Sequence, residues 1–386
     1  MHIAMILCNP FRPDPRALKE AEGLAERGHQ ITLICWDRAA EMPPEETLAS
    51  GVRVLRVQTV AARYGVGARQ LLRFPRFWWA AYAILDRLQP DIVHCHGFDA
   101  LPAGLLWGKF HRRPVVLDAY EYYAELVRPR LHGLGGKLLY QLIRRAEIIG
   151  ARLSSAVITV DDTLGDIYRR ANRRVVIIGH YPRRALAAEA APVFTRPDLT
   201  LLYIGRLSVD RGILVYADVL RLLREQGVPA RLRLVGVFTP ASEEAPLRER
   251  LRGLEEAVDI VPWVPYDQIA SVLHGADVGL VLLQPEPRYV AALPVKLFEY
   301  MAAGLPVVAN DYPLVAAICR ETHCGALVDP TNPQAAAAII RQWWEHPAEA
   351  RTAGENGRQA ILNKYNWESI IERLVELYAS VAKQAG

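Results

Sequence analysis

The chain has 386 residues, of which 51% are apolar and 23% charged, with a formal net charge of +4. That length supplies two cores of ordinary size, and that composition excludes a disordered, collagenous or disulfide-framework protein. The surplus charge is uneven, because residues 1–190 hold 27 Lys+Arg against 19 Asp+Glu and residues 191–386 hold 19 against 23.

Met1–Cys8 reads as a short buried strand rather than a secretory leader, and no apolar run is long enough to span a membrane. The expected location is therefore cytoplasmic. The five cysteines, Cys8, Cys35, Cys95, Cys319 and Cys324, contain no CxxC pair and read as core thiols of a reducing compartment. A Pro-rich loop, Asn9 to Arg16, follows the first strand, then a helix over Ala17–Arg27, Gly28 as its cap, and a second strand over Gln30–Cys35. This βαβ pattern predicts a parallel sheet covered by helices. The first turn has no GxGxxG, which argues against a dinucleotide site. Asp14 and Arg16 read equally as a turn residue and a solvated charge.

Residues 63–89 interleave Arg63, Arg69, Arg73 and Arg76 with Phe74, Phe77, Trp78 and Trp79. A helix with one buried and one solvated face explains the mixture without nucleic acid, and contact with a membrane or a lipid-linked acceptor is the functional alternative. Asp91–His96 reads as a strand ending at Gly97. His94 and His96 share one face of it. A metal there would need a third ligand, and neither Asp99 nor Asp118 has a diagnostic spacing, so no metal is assigned. Pro114–Ala119 reads as the next strand, with Asp118, Tyr120 and Glu121 at its end. Residues 126–153 carry Arg128, Arg130, Lys137, Arg144, Arg145 and Arg152 among Leu138, Leu139, Leu142 and Ile148. The stretch suits an amphipathic helix from about Lys137, either an ordinary surface helix or one attracted to anionic lipid.

The Ala/Pro-rich segment Ala185–Pro197 lacks an apolar period and marks the expected domain boundary. This divides the chain into residues 1–190, 191–366 and a closing helix over 367–386. Leu199–Ile204 begins the second half as a strand. Gly205-Arg206-Leu207-Ser208-Val209-Asp210-Arg211-Gly212 then leads into a helix over Ile213–Gln226. Leu293 to Ala309 reads as a loop, a helix entered at Pro294, a Gly304 cap and a strand. Lys296 lies in the first helical turn, where a cation opposes the helix dipole, and Glu299 sits one turn on among apolar neighbours. The two are either an i,i+3 ion pair or the N-terminal site of an anionic ligand.

The run PVKLFEYMAAGLPVVA, together with GRLSVDRG at 205–212 and DIVHCHGFDALPAG at 91–104, resembles the retaining GT-B glycosyltransferases that include sucrose synthase and bacterial mannosyl- and glucosyltransferases. The resemblance covers nearly the whole chain. It implies an α/β fold of two Rossmann-like domains facing across a cleft, with the last helix crossing back to the first. It implies a UDP- or GDP-linked sugar as donor, no other cofactor and no metal. His96, Arg206, Arg211 and Lys296 match positions beside the transferred sugar and its diphosphate. Glu299 matches the glutamate that holds ribose hydroxyls. Gly205, Leu293, Pro294 and Val295 line the same donor site, and Trp263 lies in the loop that reads the base. Asp14, Arg16, Asp118, Tyr120 and Glu121 fall at the acceptor or cleft side. Two positions depart from the pattern: Ala291 stands where the family has a first glutamate, and Tyr120 where a histidine is common. The implied partners are a glycan or lipid-linked acceptor of polysaccharide biosynthesis and an anionic membrane, with peripheral attachment to its inner face and no nucleic acid. A UDP-sugar 2-epimerase and a non-catalytic nucleotide-binding paralogue share the architecture and stand as alternatives.

Overall fold

The computed structural model describes residues 1–11, 14–60, 73–128 and 131–383. Arg12, Arg63, Arg69 and Arg130 lie outside the described residues. The chain divides into two compact units, one comprising Met1–His180 with the residues from Ile370 onward, the other Tyr181–Ser369.

The first unit carries strands β1 (His2–Leu7), β2 (Gln30–Trp36), β3 (Glu45–Thr47), β4 (Arg53–Val57), β5 (Ile92–His96), β6 (Val115–Ala119), β7 (Ala156–Thr159) and β8 (Val175–Ile177). They form one sheet in the order β3-β4-β2-β1-β5-β6-β7-β8. Every pairing is parallel except that of β3 with β4. Strand alternation divides the side chains of β5 between two environments. Val93 and Cys95 join the apolar cluster of Ala4, Ile6, Trp36, Phe77 and Trp107. His94 and His96 point to the opposite face.

The second unit carries β9 (Leu199–Ile204), β10 (Ala230–Val235), β11 (Val258–Val261), β12 (Val278–Val281), β13 (Val307–Asn310) and β14 (Gly325–Val328). The order is β11-β10-β9-β12-β13-β14, all parallel. This is the doubly wound Rossmann order, in which connections diverge to opposite sides between β9 and β12 and open a crevice at the strands' carboxyl ends. Leu201 and Tyr203 pack into the core on one face of the sheet and Leu202 into the core on the other. Near-continuous apolar strands are what a sheet covered on both faces requires.

The boundary between the units differs from the sequence expectation. The chain crosses at His180–Tyr181 and returns at Ser369–Ile370, within the helix Trp367–Ala382. Residues 185–197 are not a free linker. Ala187, Ala191 and Val193 are buried in the second core, the Ala191 N–H donates to the Ala303 carbonyl at 2.7 Å, and the Phe194 N–H donates to Asp277 at 2.6 Å. Small side chains let this segment lie flat on the unit, so its composition reflects close packing rather than flexibility.

The other mixed stretches resolve as helices. Phe74–Leu88 buries Phe74, Phe77, Ala81 and Leu85 and exposes Trp79. Gly133–Leu153 starts a turn before Lys137 and buries only Glu147, Gly150 and Ala151. Among the described residues, no helix is long and apolar enough to cross a membrane.

Candidate functional site

The turn after β9 is built for a close backbone approach. Gly205 has φ +136°, and a Cβ on Gly236 of the neighbouring turn would lie 1.8 Å from the Gly205 carbonyl oxygen. Only glycine permits both conditions. The helix Val295–Ala302 is locked to this turn by Tyr300, whose hydroxyl accepts the Ile204 N–H at 3.0 Å. Gly304, at φ +73°, closes the helix, and the Leu305 N–H donates back to the Tyr300 carbonyl at 3.0 Å.

Those constraints gather the expected donor residues of the second unit. Lys296 is buried, its Nζ 3.3 Å from the Tyr203 hydroxyl and 4.4 Å from the ring centroid. Arg206 reaches the Tyr289 hydroxyl at 3.2 Å and Asp210 Oδ2 at 3.4 Å. Arg211 donates its Nε–H to the same Tyr289 hydroxyl at 3.3 Å. Arg288 also pairs with Asp210 Oδ2, and Tyr289 donates to it at 2.9 Å. Glu299 is buried one turn beyond Lys296 and lies within electrostatic reach of Lys296 and of the Tyr266 hydroxyl. Leu293, Pro294 and Val295 are half-buried at the helix entry, and Trp263 is 51% exposed on the loop after β11.

The electrostatics follow from this crowding. Burial, reinforced by Arg211, lowers Lys296 to about 7, against the pull of Glu299. Burial would raise Asp210, but the Ser208 and Tyr289 hydroxyls with Arg206 and Arg288 hold its carboxyl below the usual range. Asp210 and Tyr289 were not singled out from the sequence. Asp210 stands four residues after Arg206 in the same turn, a spacing that could have suggested their ion pair. Tyr289 gives no such signal, because its role arises from the approach of two loops remote in sequence.

The first unit contains a different cluster. Arg16 is buried, not solvated. It grips both oxygens of Asp118 at 2.7 Å, donates to the Ile178 carbonyl at 2.9 Å and pairs with Glu20 at 3.2 Å. Asp14 caps its helix by accepting the Ala17 N–H at 3.0 Å. His96 is 4% exposed, with Nδ1 3.1 Å from Asp118 Oδ2 and Nε2 3.9 Å from Glu20 Oε2. Both ring nitrogens thus face the interior of the unit. Burial opposes protonation of His96, but Asp118 and Glu20 outweigh it and raise its pKa. Burial also pushes the Glu20 carboxyl up, while Arg16 holds Asp118 far below the usual range despite its burial. Tyr120 packs edge-on against His180, and Glu121 is exposed. Glu20 was missed in the sequence although it stands four residues after Arg16 on the same helix.

Two parallel α/β units, the second with Rossmann strand order and cations at its carboxyl crevice, define a GT-B glycosyltransferase that uses a nucleotide-sugar donor. Residues 16–181 match the family described as Glycosyltransferase Family 4, and residues 188–360 match Glycosyl transferases group 1, so the chain belongs to that family of transferases. It is 25% identical to a GDP-mannose:cellobiosyl-diphosphopolyprenol alpha-mannosyltransferase of Xanthomonas oryzae pv. oryzae, over 95% of this chain and 94% of that protein. It is also 25% identical to a D-inositol 3-phosphate glycosyltransferase of Acidothermus cellulolyticus, over 93% and 83% respectively. In fold it is similar to sucrose-phosphate synthase of Thermosynechococcus elongatus, with TM-score 0.81, 17% identity and full coverage of both chains. Similar too is HepE of Anabaena in complex with UDP, with TM-score 0.71, 17% identity, and coverage of 98% of this chain and 100% of that one.

Proposed function

We propose that the chain transfers a hexose from a nucleoside-diphosphate sugar, with retention at the anomeric carbon, to a lipid-linked glycan acceptor. The observation that carries this reading is the convergence of Arg206, Arg211, Arg288 and Lys296 on the turn after β9, beside the carboxylates of Asp210, Glu243 and Glu299. A cluster of cations at one strand end suits the negative charge of a diphosphate diester. As the bond to the sugar breaks, further negative charge develops on the leaving diphosphate, and preorganised cations stabilise it where no water must reorganise. In this reading Glu299 accepts ribose hydroxyls and Trp263, with its exposed ring, stacks on the base.

His96 enters this reading only as a supporting residue. Its ring nitrogens face Asp118 and Glu20, so a direct contact between its side chain and the sugar is not proposed. GDP-mannose is the first donor to test, because the Xanthomonas relative is named for it. A membrane-bound acceptor is supported by the helix Gly133–Leu153. It exposes Leu134, Leu138, Leu142, Ile149 and Leu153 beside the exposed cations Lys137, Arg144, Arg145 and Arg152. An apolar stripe flanked by cations suits the headgroup region of an anionic bilayer.

The test is a panel of GDP- and UDP-sugars incubated with the protein, with and without lipid extract, followed by nucleotide release and by NMR of the product's anomeric signal. Acceptor-dependent release and an α-linked product from an α-linked donor are expected. An inverted anomer would overturn retention, and donor consumption that ignores the acceptor would overturn transfer.

A further inference from the structure

The crevice of the second sheet opens between β9 and β12, so the chain that leaves each of these strands forms one of its walls. Arg206, Asp210 and Arg211 stand on the wall after β9. Tyr289 stands on the wall after β12, in the short helix Pro287–Val290. The backbone ties the two walls together, because the Gln284 N–H donates to the Asp210 carbonyl at 3.1 Å. Tyr289 is only 7% exposed and belongs to the apolar core that includes Leu297 and Tyr300. Its ring is therefore held by the core, while its hydroxyl meets charged groups.

A phenol hydroxyl has one proton to give and lone pairs that accept. An ionised carboxylate can only accept, so the hydroxyl donates to Asp210 Oδ2 at 2.9 Å. Guanidinium groups can only donate, so the same oxygen accepts from Arg206 Nη2 at 3.2 Å and from Arg211 Nε at 3.3 Å. The carboxylate polarises the O–H bond, which makes the oxygen a better acceptor for the two cations. Two like charges thus meet on one neutral oxygen, and the carboxylate behind it offsets their repulsion. The guanidinium of Arg206 is still not fully engaged. Its Nε is buried and, among the described residues, has no hydrogen-bond partner. Buried donors are paired in almost all proteins, so this one points to an acceptor that arrives with a ligand.

We propose that Tyr289 is a positioning residue whose hydroxyl holds the Arg206 and Arg211 guanidiniums together so that both meet the diphosphate of the nucleotide sugar, a role that rests on the donor-site reading above. Charge alone does not need the hydroxyl. Two arginines free to separate repel each other, and each loses side-chain entropy when a ligand fixes it. Held on one oxygen, they lose that freedom on folding instead, and the ligand meets donors already set side by side. Without the hydroxyl, an apolar ring edge takes the place of the shared acceptor. The two arginines then turn separately to Asp210 or to water.

GDP, UDP, GMP and UMP are titrated by calorimetry into the full-length wild type and into Tyr289→Phe. The wild type should prefer a diphosphate to its monophosphate. Tyr289→Phe should lose about tenfold in affinity for the diphosphates, with monophosphate affinity nearly unchanged and a melting temperature close to that of the wild type. The same substitution made in Arg206→Met should cost markedly less than in the wild type, because the hydroxyl acts through that arginine. An undiminished diphosphate preference in Tyr289→Phe overturns the role. So does an equal loss for both kinds of nucleotide, or a full further loss in the Arg206→Met background. Should Tyr289→Phe fail to fold, Tyr289→Met, which fills the core without a hydroxyl, is read by the same ratio. A wild type with no preference for the diphosphate is a separate failure: it removes the donor-site reading, and the role of Tyr289 with it.

Discussion

The ammonium of Lys296 rests against the side chain of Tyr203, 3.3 Å from its hydroxyl and 4.4 Å from the ring centroid, in the buried wall beneath Gly205. Burial lowers this lysine to about 7, with Arg211 adding to the effect. A bound diphosphate stabilises the charged form, so the protein takes up a proton on binding wherever the free lysine is neutral. Affinity for an intact sugar nucleotide should be level below about pH 7 and fall above it, by at most about tenfold per pH unit. Titration calorimetry from pH 6 to pH 9, in two buffers of different ionisation enthalpy, measures both the affinity and the proton uptake. In Lys296→Met the slope should vanish. A wild-type affinity independent of pH would remove this role.

Glu299→Ala should weaken nucleotide binding while leaving the fold intact. Hydrogen bonds between hydroxyls and a buried carboxylate contribute about 1.5–3 kcal/mol each, so a loss of tenfold or more in affinity is expected. The comparison that isolates the ribose is the 2′,3′-dideoxy nucleotide, for which the variant's loss should be clearly smaller than for the normal nucleotide. Unchanged affinity for the normal nucleotide would remove the ribose role of Glu299.

Arg16→Met should destabilise the first unit by about 3–5 kcal/mol, because it leaves the Asp118 carboxylate buried without its bidentate partner. Replacing Asp118 with leucine in the same chain should recover part of that loss, since the orphaned charge is then gone. The measurement is the urea midpoint of the first-unit transition, read against the single variants. A cost near that of an exposed pair, under about 1 kcal/mol, would contradict the buried geometry.

Leu138→Asp with Leu142→Asp should abolish co-sedimentation with vesicles containing phosphatidylglycerol and leave nucleotide binding untouched. Each well-placed cation adds roughly 1 kcal/mol of attraction to an anionic surface, screened by salt. Wild-type binding should therefore fall in high salt and be weak on neutral vesicles. Equal binding of both proteins to both vesicle types would exclude this helix as the contact.

The strands and the donor helix were legible because their signals are local. Val307–Asn310 is a short apolar run, Gly304 is a cap by its conformational freedom, and Arg206 and Arg211 stand at the end of an apolar strand. The buried cluster of the first unit was not legible. Pairing β1 with β5 aligns Leu7 with His96 and pairing β5 with β6 aligns His96 with Asp118. The third partner, Glu20, comes from a helix 76 positions before His96 in the chain. No spacing rule reports a meeting made by sheet order. The domain boundary failed for a related reason. Alanine and proline without an apolar period describe a linker and a tightly packed surface strap equally well, and only burial of Ala187 and Ala191 separates the two.

Asp210 holds Arg206, Arg288 and the Tyr289 hydroxyl through one oxygen while Ser208 engages the other. On the proposed function, this carboxylate stands in for the diphosphate, and the ligand would compete with it for Arg206 and Arg288. Donor affinity would then be a difference between two sets of ionic contacts, not the strength of one. The same competition works in the reverse direction after transfer. As the spent nucleotide begins to leave, Asp210 would recapture Arg206 and Arg288, so departure would proceed by stepwise exchange of partners rather than by rupture of the whole cluster. A residue that weakens binding would in this way shorten the wait between turnovers.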